Sequence, residues 1–223
     1  MKTPSAKAKV KAFTLVELLA VIFILVGLAI IFLPFVGSRP RPAYQTVCMN
    51  NQKQIAIGFI MWRDDNVGQF PWQISSINGG TMEAAARGYA APNFQILSNY
   101  FSKRPDIFVC PTDQTRKVVP SLMDFKNRNL SYFVAFGGGT NATVNILTGD
   151  RHLERNGNPV MPGLFIFSTN TAMNWTHELH GNVKNSTWGC LSFADGHCES
   201  MRGVNLNEVF QRENLKTNRL CVP

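Results

Sequence analysis

From Phe13 to Val36 the chain runs for 24 residues that are apolar, glycine, proline or threonine at every position but one, and the exception is Glu17. As a helix this run would reach about 36 Å, enough for a hydrocarbon core of about 30 Å. A carboxylate inside such a run costs roughly 2.5–3.5 kcal/mol on insertion scales, so Glu17 needs a physical reason. Four lysines (Lys2, Lys7, Lys9 and Lys11) precede the run with no acid among them. They would hold the N-terminus in the cytoplasm and place the residues after Val36 on the far side. A cleavable secretory signal fits poorly. Its apolar region usually spans about 7–15 residues before small residues at the cut, and no A-x-A pattern ends this run. A plain anchor accounts for the length but not for Glu17.

A third reading accounts for both. The stretch "KAFTLVELLAV", Lys11 to Val21, resembles the N-terminus of type IV prepilins and of type II secretion pseudopilins. The resemblance implies a basic leader, residues 1–12, cut between Ala12 and Phe13 by a prepilin peptidase. It also implies N-methylation of the new Phe13 amine and retention of residues 13–36 as a transmembrane and filament-core helix. Glu17 fills the family's acidic position, and Pro34 a proline common late in the same helix. One departure is Ala12, where the family usually has glycine. Cleavage would leave a cationic Phe13 amine with a carboxylate four positions along, about one helical turn, on the same face. Within a subunit, or between neighbours in a growing filament, these two charges can neutralise each other.

Beyond Val36, "VGSRPRPAY" is a break, because Pro40 and Pro42 lack an N–H and disfavour helix at the residues before them. Residues 37–42 are therefore a Pro-rich interruption, with helix resuming near Ala43. Cys48, Gln52, Ile55, Phe59 and Trp62 follow at spacings of 4, 3, 4 and 3, one face of a helix suited to seat a sheet. Turn signals then alternate with short apolar segments. "GLFIFST" reads as a strand, and "WGCLSFADGHCESM" as a hairpin turning at Asp195-Gly196. "NEVFQREN" reads as a short helix. The expected fold is α+β: a helical spine packed on a small antiparallel sheet, as in pilins, with residues 43–223 forming the globular part. A chain of 223 residues with 45% hydrophobic and 11% aromatic content supports one such domain plus an appendage, not disorder.

Three further stretches resemble a pseudopilin-G-like subfamily: "CMNNQKQIAIGFIMWRDDNVGQFP" (Cys48 to Pro71), "FVCPTD" (Phe108 to Asp113) and "FADGHCE" (Phe193 to Glu199). In that subfamily a histidine precedes an Asp-Gly turn, and His180 with Asp195-Gly196 fill those places, 14 residues lying between His180 and Asp195. The resemblance also makes Cys48 and Cys110 the better disulfide pair among five cysteines, since they lie in two of these motifs. An oxidising compartment permits such a bond, and an odd count leaves a thiol over. A two-residue turn at Asp195-Gly196 would pair Phe193 with Cys198 and Cys190 with Met201, sending Cys190 and Cys198 to opposite faces.

Other constellations read as structure. "HELH" places His177 and His180 at i and i+3, where a zinc-protease helix needs i and i+4, and reads as a solvated turn. "DDNVG" (Asp64 to Gly68) echoes a calcium loop, but its twelfth position is Ser75, not glutamate, so it is no EF-hand. Calcium elsewhere is neither supported nor ruled out, and no cofactor is expected. "GGGT" (Gly137 to Thr140) lacks the Lys-Ser/Thr of a phosphate loop, and no nucleophile–base pair emerges. The net charge of +8 has half its excess in the leader lysines. What remains is a mildly basic surface, not a nucleic-acid footprint.

The expectation is thus a structural filament subunit, not an enzyme, whose partners are prepilin peptidase, like subunits, an inner-membrane assembly platform and lipid. Two alternatives stand beside it. A DNA-binding minor pilin would show steeply salt-dependent binding. A membrane-anchored enzyme or binding protein would show a deep pocket with convergent titratable groups.

Overall fold

The computed structural model describes residues 14–36, 41–101, 104–136, 146–180, 187–203, 206–212 and 217–223. The leader with Ala12, the Phe13 amine, Pro40, Gly181 and the Gly137–Thr140 turn lie outside these residues. The chain divides into two compact units, Met1–Arg39 and Pro40–Pro223.

In the first unit, helix α1 spans Leu15–Val36. Thr14 is its N-cap, since the Leu18 N–H donates to the Thr14 carbonyl at 3.1 Å. Glu17 sits three residues on and closes a capping box. Its carboxylate accepts from the Thr14 N–H and the Thr14 hydroxyl, both at 2.8 Å, while the Thr14 Oγ1 accepts from the Glu17 N–H at 3.3 Å. Two of the helix's orphan donors are satisfied this way. From Leu15 to Ile31 every side chain is exposed. No helix among the described residues is long and apolar enough to cross a membrane.

The second unit is α+β with antiparallel sheets. Helix α2 spans Arg41–Asp65, starting two residues before the position the prolines suggested, because proline is tolerated in a helix's first turn. Three short helices follow: α3 (Met82–Ala86), α4 (Ala91–Gln95) and α5 (Ser98–Phe101). Then come strands β1 (Tyr132–Ala135), β2 (Ile146–Asp150), β3 (Leu153–Arg155), β4 (Asn158–Pro159), β5 (Gly163–Ser168) and β6 (Met173–Trp175). The chain continues through β7 (Trp188–Phe193), β8 (Cys198–Arg202), helix α6 (Leu206–Arg212) and β9 (Thr217–Val222). Six strands pair in the order β5-β9-β1-β2-β7-β8, and a second sheet has the order β4-β3-β6. This is larger than the small sheet expected.

The main sheet is covered on both faces. On one lies α2, whose Cys48, Gln52, Ile55, Phe59 and Trp62 are all buried, the face its periodicity marked out. They join a core with Tyr132, Val134, Leu147 and Phe94. On the other face Phe133, Ile146, Leu191, Phe193 and Leu220 pack with Trp175 of β6 and Phe210 of α6. A strand buried on both sides needs no alternation of polar and apolar residues, and β1 and β2 show none.

The β7–β8 hairpin corrects one expected register. Ser192 pairs with Cys198 and Cys190 with Ser200, one residue away from a two-residue turn. The Gly196 N–H donates to the Phe193 carbonyl at 2.9 Å, and the Phe193 N–H to the His197 carbonyl at 3.0 Å. Gly196 has φ +87°, so the loop is three residues, Ala194 to Gly196, ending in a left-handed bulge position. The shift of one reverses the facing argument: Cys190 and Cys198 stand on the same face.

The end of α2 stores strain. Gly68 donates to the Arg63 carbonyl at 2.9 Å, and the Asn66 side chain caps the Trp62 carbonyl at 2.7 Å. This closure puts both Val67 (φ 55°) and Gly68 (φ 77°) in the left-handed region. Valine pays about 1–2 kcal/mol there, and at 96% exposure Val67 gains nothing from packing in return. Val67→Asn is therefore expected to raise the unfolding free energy by about 1 kcal/mol, read as a higher urea midpoint with unchanged m. An unchanged or lower midpoint would show that the valine is not strained.

Candidate functional site

The most unusual place in the globular unit is a buried polar centre beneath α2. Asp150 ends β2 with no solvent exposure, and the β2–β7 register sets it opposite Cys190. The Cys190 N–H donates to Asp150 Oδ2 at 2.7 Å. From α2, Gln52 Nε2 donates to Asp150 Oδ1 at 3.0 Å and to the Cys190 carbonyl at 3.2 Å. His180, at the end of the turn after β6, brings Nε2 to 3.3 Å from Asp150 Oδ2. The same nitrogen lies 3.7 Å from Cys110 Sγ. Cys110 is bonded to Cys48, one turn before Gln52 on α2, with Cα atoms 5.3 Å apart.

His180 is thus not in a solvated turn, as "HELH" suggested. Its side chain is 2% exposed, whereas His177 is exposed. The turn is anchored by Thr176, whose N–H donates to the His152 carbonyl at 2.7 Å, and this swings the fourth residue of the motif inward. The Asp195–Gly196 turn and His197 form a separate surface cluster. His197 stacks on Phe193 at 4.1 Å and pairs with Asp195.

Behind the centre, the His152 ring packs tilted against Trp175 with centroids 5.2 Å apart, and its Nε2 lies 3.0 Å from the Trp188 carbonyl. Burial pushes its pKa down to about 4, so the ring is neutral and Nε2–H is the donor. Trp175 in turn lies over Gly189, where a Cβ would meet the indole at 2.4 Å.

Three thiols are free: Cys190, Cys198 and Cys221. Burial raises all of them, Cys198 to about 11, Cys221 to about 12 and Cys190 well above the ordinary thiol value. None is a ready thiolate at neutral pH. Two sets of side chains have metal-ligating geometry, each with its donor atoms within 4.8 Å of one another: Asp150, His180 and Cys190, and Cys48, Cys110 and His180. In the second set both sulfurs are spent on the disulfide.

Next to this centre the "FVCPTD" segment makes a second buried network. Asp113 accepts from Arg151 Nε at 2.8 Å and Nη2 at 3.1 Å, from the Ser131 hydroxyl at 2.8 Å and from the Thr115 hydroxyl at 2.7 Å. Arg151 Nη1 also reaches Glu178 at 3.1 Å. Asp113, Thr115, Arg151 and Glu178 line a cleft of about 610 Å³ together with Tyr44 and His177. Its charges are engaged with one another.

The chain matches no known protein-family profile, no curated protein and no solved structure.

The sequence marks Cys48 and Cys110 as a pair and His180 as a motif residue, Gln52 only as part of a buried helix face and Cys190 only as a hairpin residue; it does not mark Asp150. The available signal was an acid closing the apolar segment "NILTGD", a position where ionised groups are rare unless paired.

Two outcomes follow for these networks. Replacing the bridge with Cys48→Ala/Cys110→Ala is expected to cost about 4 kcal/mol for a separation of 62 residues. Non-reducing peptide mapping should recover Cys48 with Cys110, and a loss under about 1 kcal/mol in urea would contradict the entropic account. For Asp113, burial pushes the carboxyl up, but Arg151, Thr115 and Ser131 more than reverse this and leave it below its ordinary value. Its stabilisation is present above the unfolded carboxyl pKa of about 3.9 and is lost as pH falls through the lowered folded value. Asp113→Asn is expected to cost about 3 kcal/mol at pH 7 and to flatten the acid limb of urea midpoints taken from neutral pH downward. An acid limb as steep as the wild type's would remove Asp113 from that account.

Proposed function

We propose that the chain is a structural pilin-like subunit, a pseudopilin of a type II secretion pseudopilus or of a type IV pilus-like filament. In this reading prepilin peptidase cuts between Ala12 and Phe13 and the Phe13 amine is methylated. The helix from Phe13 to Val36 serves first as an inner-membrane anchor and then as part of a filament core. The globular unit is periplasmic and faces outward.

The observation that carries the reading is α1 itself. Its side chains from Leu15 to Ile31 are exposed and, apart from Glu17, carry no charge. An apolar helix exposed on all sides requires lipid or other helices as its surroundings. Phe13 and the stretch from Phe32 to Val36 extend the same apolar run in sequence. The lysine leader and "FTLVELL" supply the processing signal. The cleft beside Asp113 favours a structural role over an enzymatic one, since Arg151 is held by both Asp113 and Glu178.

The capping box sharpens the role of Glu17. Its carboxylate does one job already, bonding to Thr14, and the filament reading gives it a second, neutralising a Phe13 amine. The two jobs separate by mutation. Glutamine serves a capping box as glutamate does but carries no charge, so Glu17→Gln keeps the cap and loses the pairing. Thr14→Ala weakens the cap, at about 1 kcal/mol, and keeps the charge. On co-expression with a prepilin peptidase and assembly machinery, both variants and the wild type are expected to be cleaved. Mass spectrometry should find N-methylated Phe13 as the first residue. Thr14→Ala should enter sheared filaments, and Glu17→Gln should remain in the membrane. Full assembly of Glu17→Gln would reduce Glu17 to a helix cap, and an intact Met1 would overturn the filament reading.

A further inference from the structure

We propose that the buried centre beneath α2 is a zinc site, with Asp150, His180 and Cys190 as its protein ligands. This goes beyond the filament reading and does not depend on it.

The donor set comes first. A carboxylate oxygen, an imidazole nitrogen and a thiol sulfur lie within 4.8 Å of one another, contributed by β2, the turn after β6, and β7. Zinc bond lengths of about 2.0–2.3 Å place tetrahedral ligand atoms roughly 3.3–3.7 Å apart. The His180 Nε2 to Asp150 Oδ2 distance is already 3.3 Å. Mixed sulfur, nitrogen and oxygen donors suit zinc and exclude calcium and magnesium, which take oxygen alone.

The second observation is a buried side-chain oxygen without a partner. Gln52 Nε2 is committed to Asp150 and to the Cys190 carbonyl, which fixes the amide's orientation, and its Oε1 is buried with no hydrogen-bond partner. His152 Nδ1 is likewise buried with no partner, and its ring meets that of His180 at 6.0 Å. Each such group is buried at a cost. Gln52 Oε1 or a water molecule would complete four-coordination. On binding, the Cys190 thiol gives up its proton to solvent and ligates as thiolate.

The surroundings are already those of a supported site. Asp150 is held by two donors besides His180, the kind of outer contact that orients a ligating carboxylate. The Cys48–Cys110 bond closes the neighbouring side, so its sulfurs are spectators.

The test uses the full-length chain in detergent with the Cys48–Cys110 bridge oxidised, incubated with zinc and desalted, and metal counted by mass spectrometry. About one zinc per chain is expected, and cobalt in its place should give a thiolate-to-cobalt charge-transfer band. Cys190→Ser should abolish that band, and Cys190→Ser and His180→Gln should each weaken zinc binding at least about tenfold. Cys198→Ser and Cys221→Ser should change nothing. If the site variants fail to fold, zinc protection of Cys190 from alkylation in the wild type, read by peptide mapping, decides in their place. Wild-type binding no greater than that of Cys190→Ser, a band that survives Cys190→Ser, or an alkylation rate at Cys190 unmoved by zinc would overturn the proposal. Binding that appears only after the bridge is reduced would overturn it too, by moving the ligands to Cys48 and Cys110.

Discussion

Asp150 is a carboxylate placed where water does not reach, and an ionised group there costs several kcal/mol unless its partners are all in position. Those partners come from separate parts of the chain: Gln52 from α2, the Cys190 amide from β7, and His180 from the turn after β6. The contact therefore couples helix position, strand pairing and loop path. A slip of one residue between β2 and β7 would turn Asp150 into the opposite face of the sheet, among Phe133 and Leu191, with no donor to meet it. Hydrophobic burial alone would tolerate such a slip far better, because β2 is buried on both faces. The buried charge supplies the discrimination that the apolar residues around it do not.

Glu17 shows the other way a chain can keep an acid among apolar residues. It is exposed and local, bonded within its own first turn to Thr14, and its position at the head of a helix also favours negative charge through the helix dipole. A carboxylate has lone pairs for several donors, so the cap does not exhaust it. The signature Thr-x-x-Glu ahead of an apolar run was visible in the sequence. The cost of an acid in lipid points to charge pairing, and the same spacing also writes a capping box.

What the sequence made legible follows from which interactions are local. The α2 face was readable because a 3.6-residue period is written in Cys48, Gln52, Ile55, Phe59 and Trp62, all of which are buried. The strand at Gly163–Ser168 and the helix at Leu206–Arg212 were readable as short apolar-rich segments between turns. Strands β1, β2 and β9 were not. Buried on both faces, β1 and β2 lack alternation, and β2 carries Thr148, which is content only because Ser192 meets it at 2.7 Å from the next strand. β9 lies between β5 and β1 and has no local signal for so central a place. The hairpin is legible in kind but not in register, since Asp-Gly marks the turn but the bulge at Gly196 sets its length.

The motifs that stood out along the chain prove to have a common destination. Cys48 and Gln52 belong to the first, Cys110 and Asp113 to the second, and His180 to the histidine that precedes the Asp-Gly turn. Apart from Asp113, all of these meet at one buried centre, and Asp113 pins the adjoining loop through Arg151, the residue after Asp150. The remaining motif, around Asp195, supplies only the hairpin that carries β7 past Asp150. Residues spaced across more than half the sequence thus act as one polar assembly, tied together by hydrogen bonds and the Cys48–Cys110 bridge. Such an assembly is unforgiving: with every member in place it fixes one arrangement of α2, β2 and β7, and with one removed it strands a buried donor or charge. The same property suits it to hold a cation, because a site whose ligands are already oriented loses little freedom when the ion arrives.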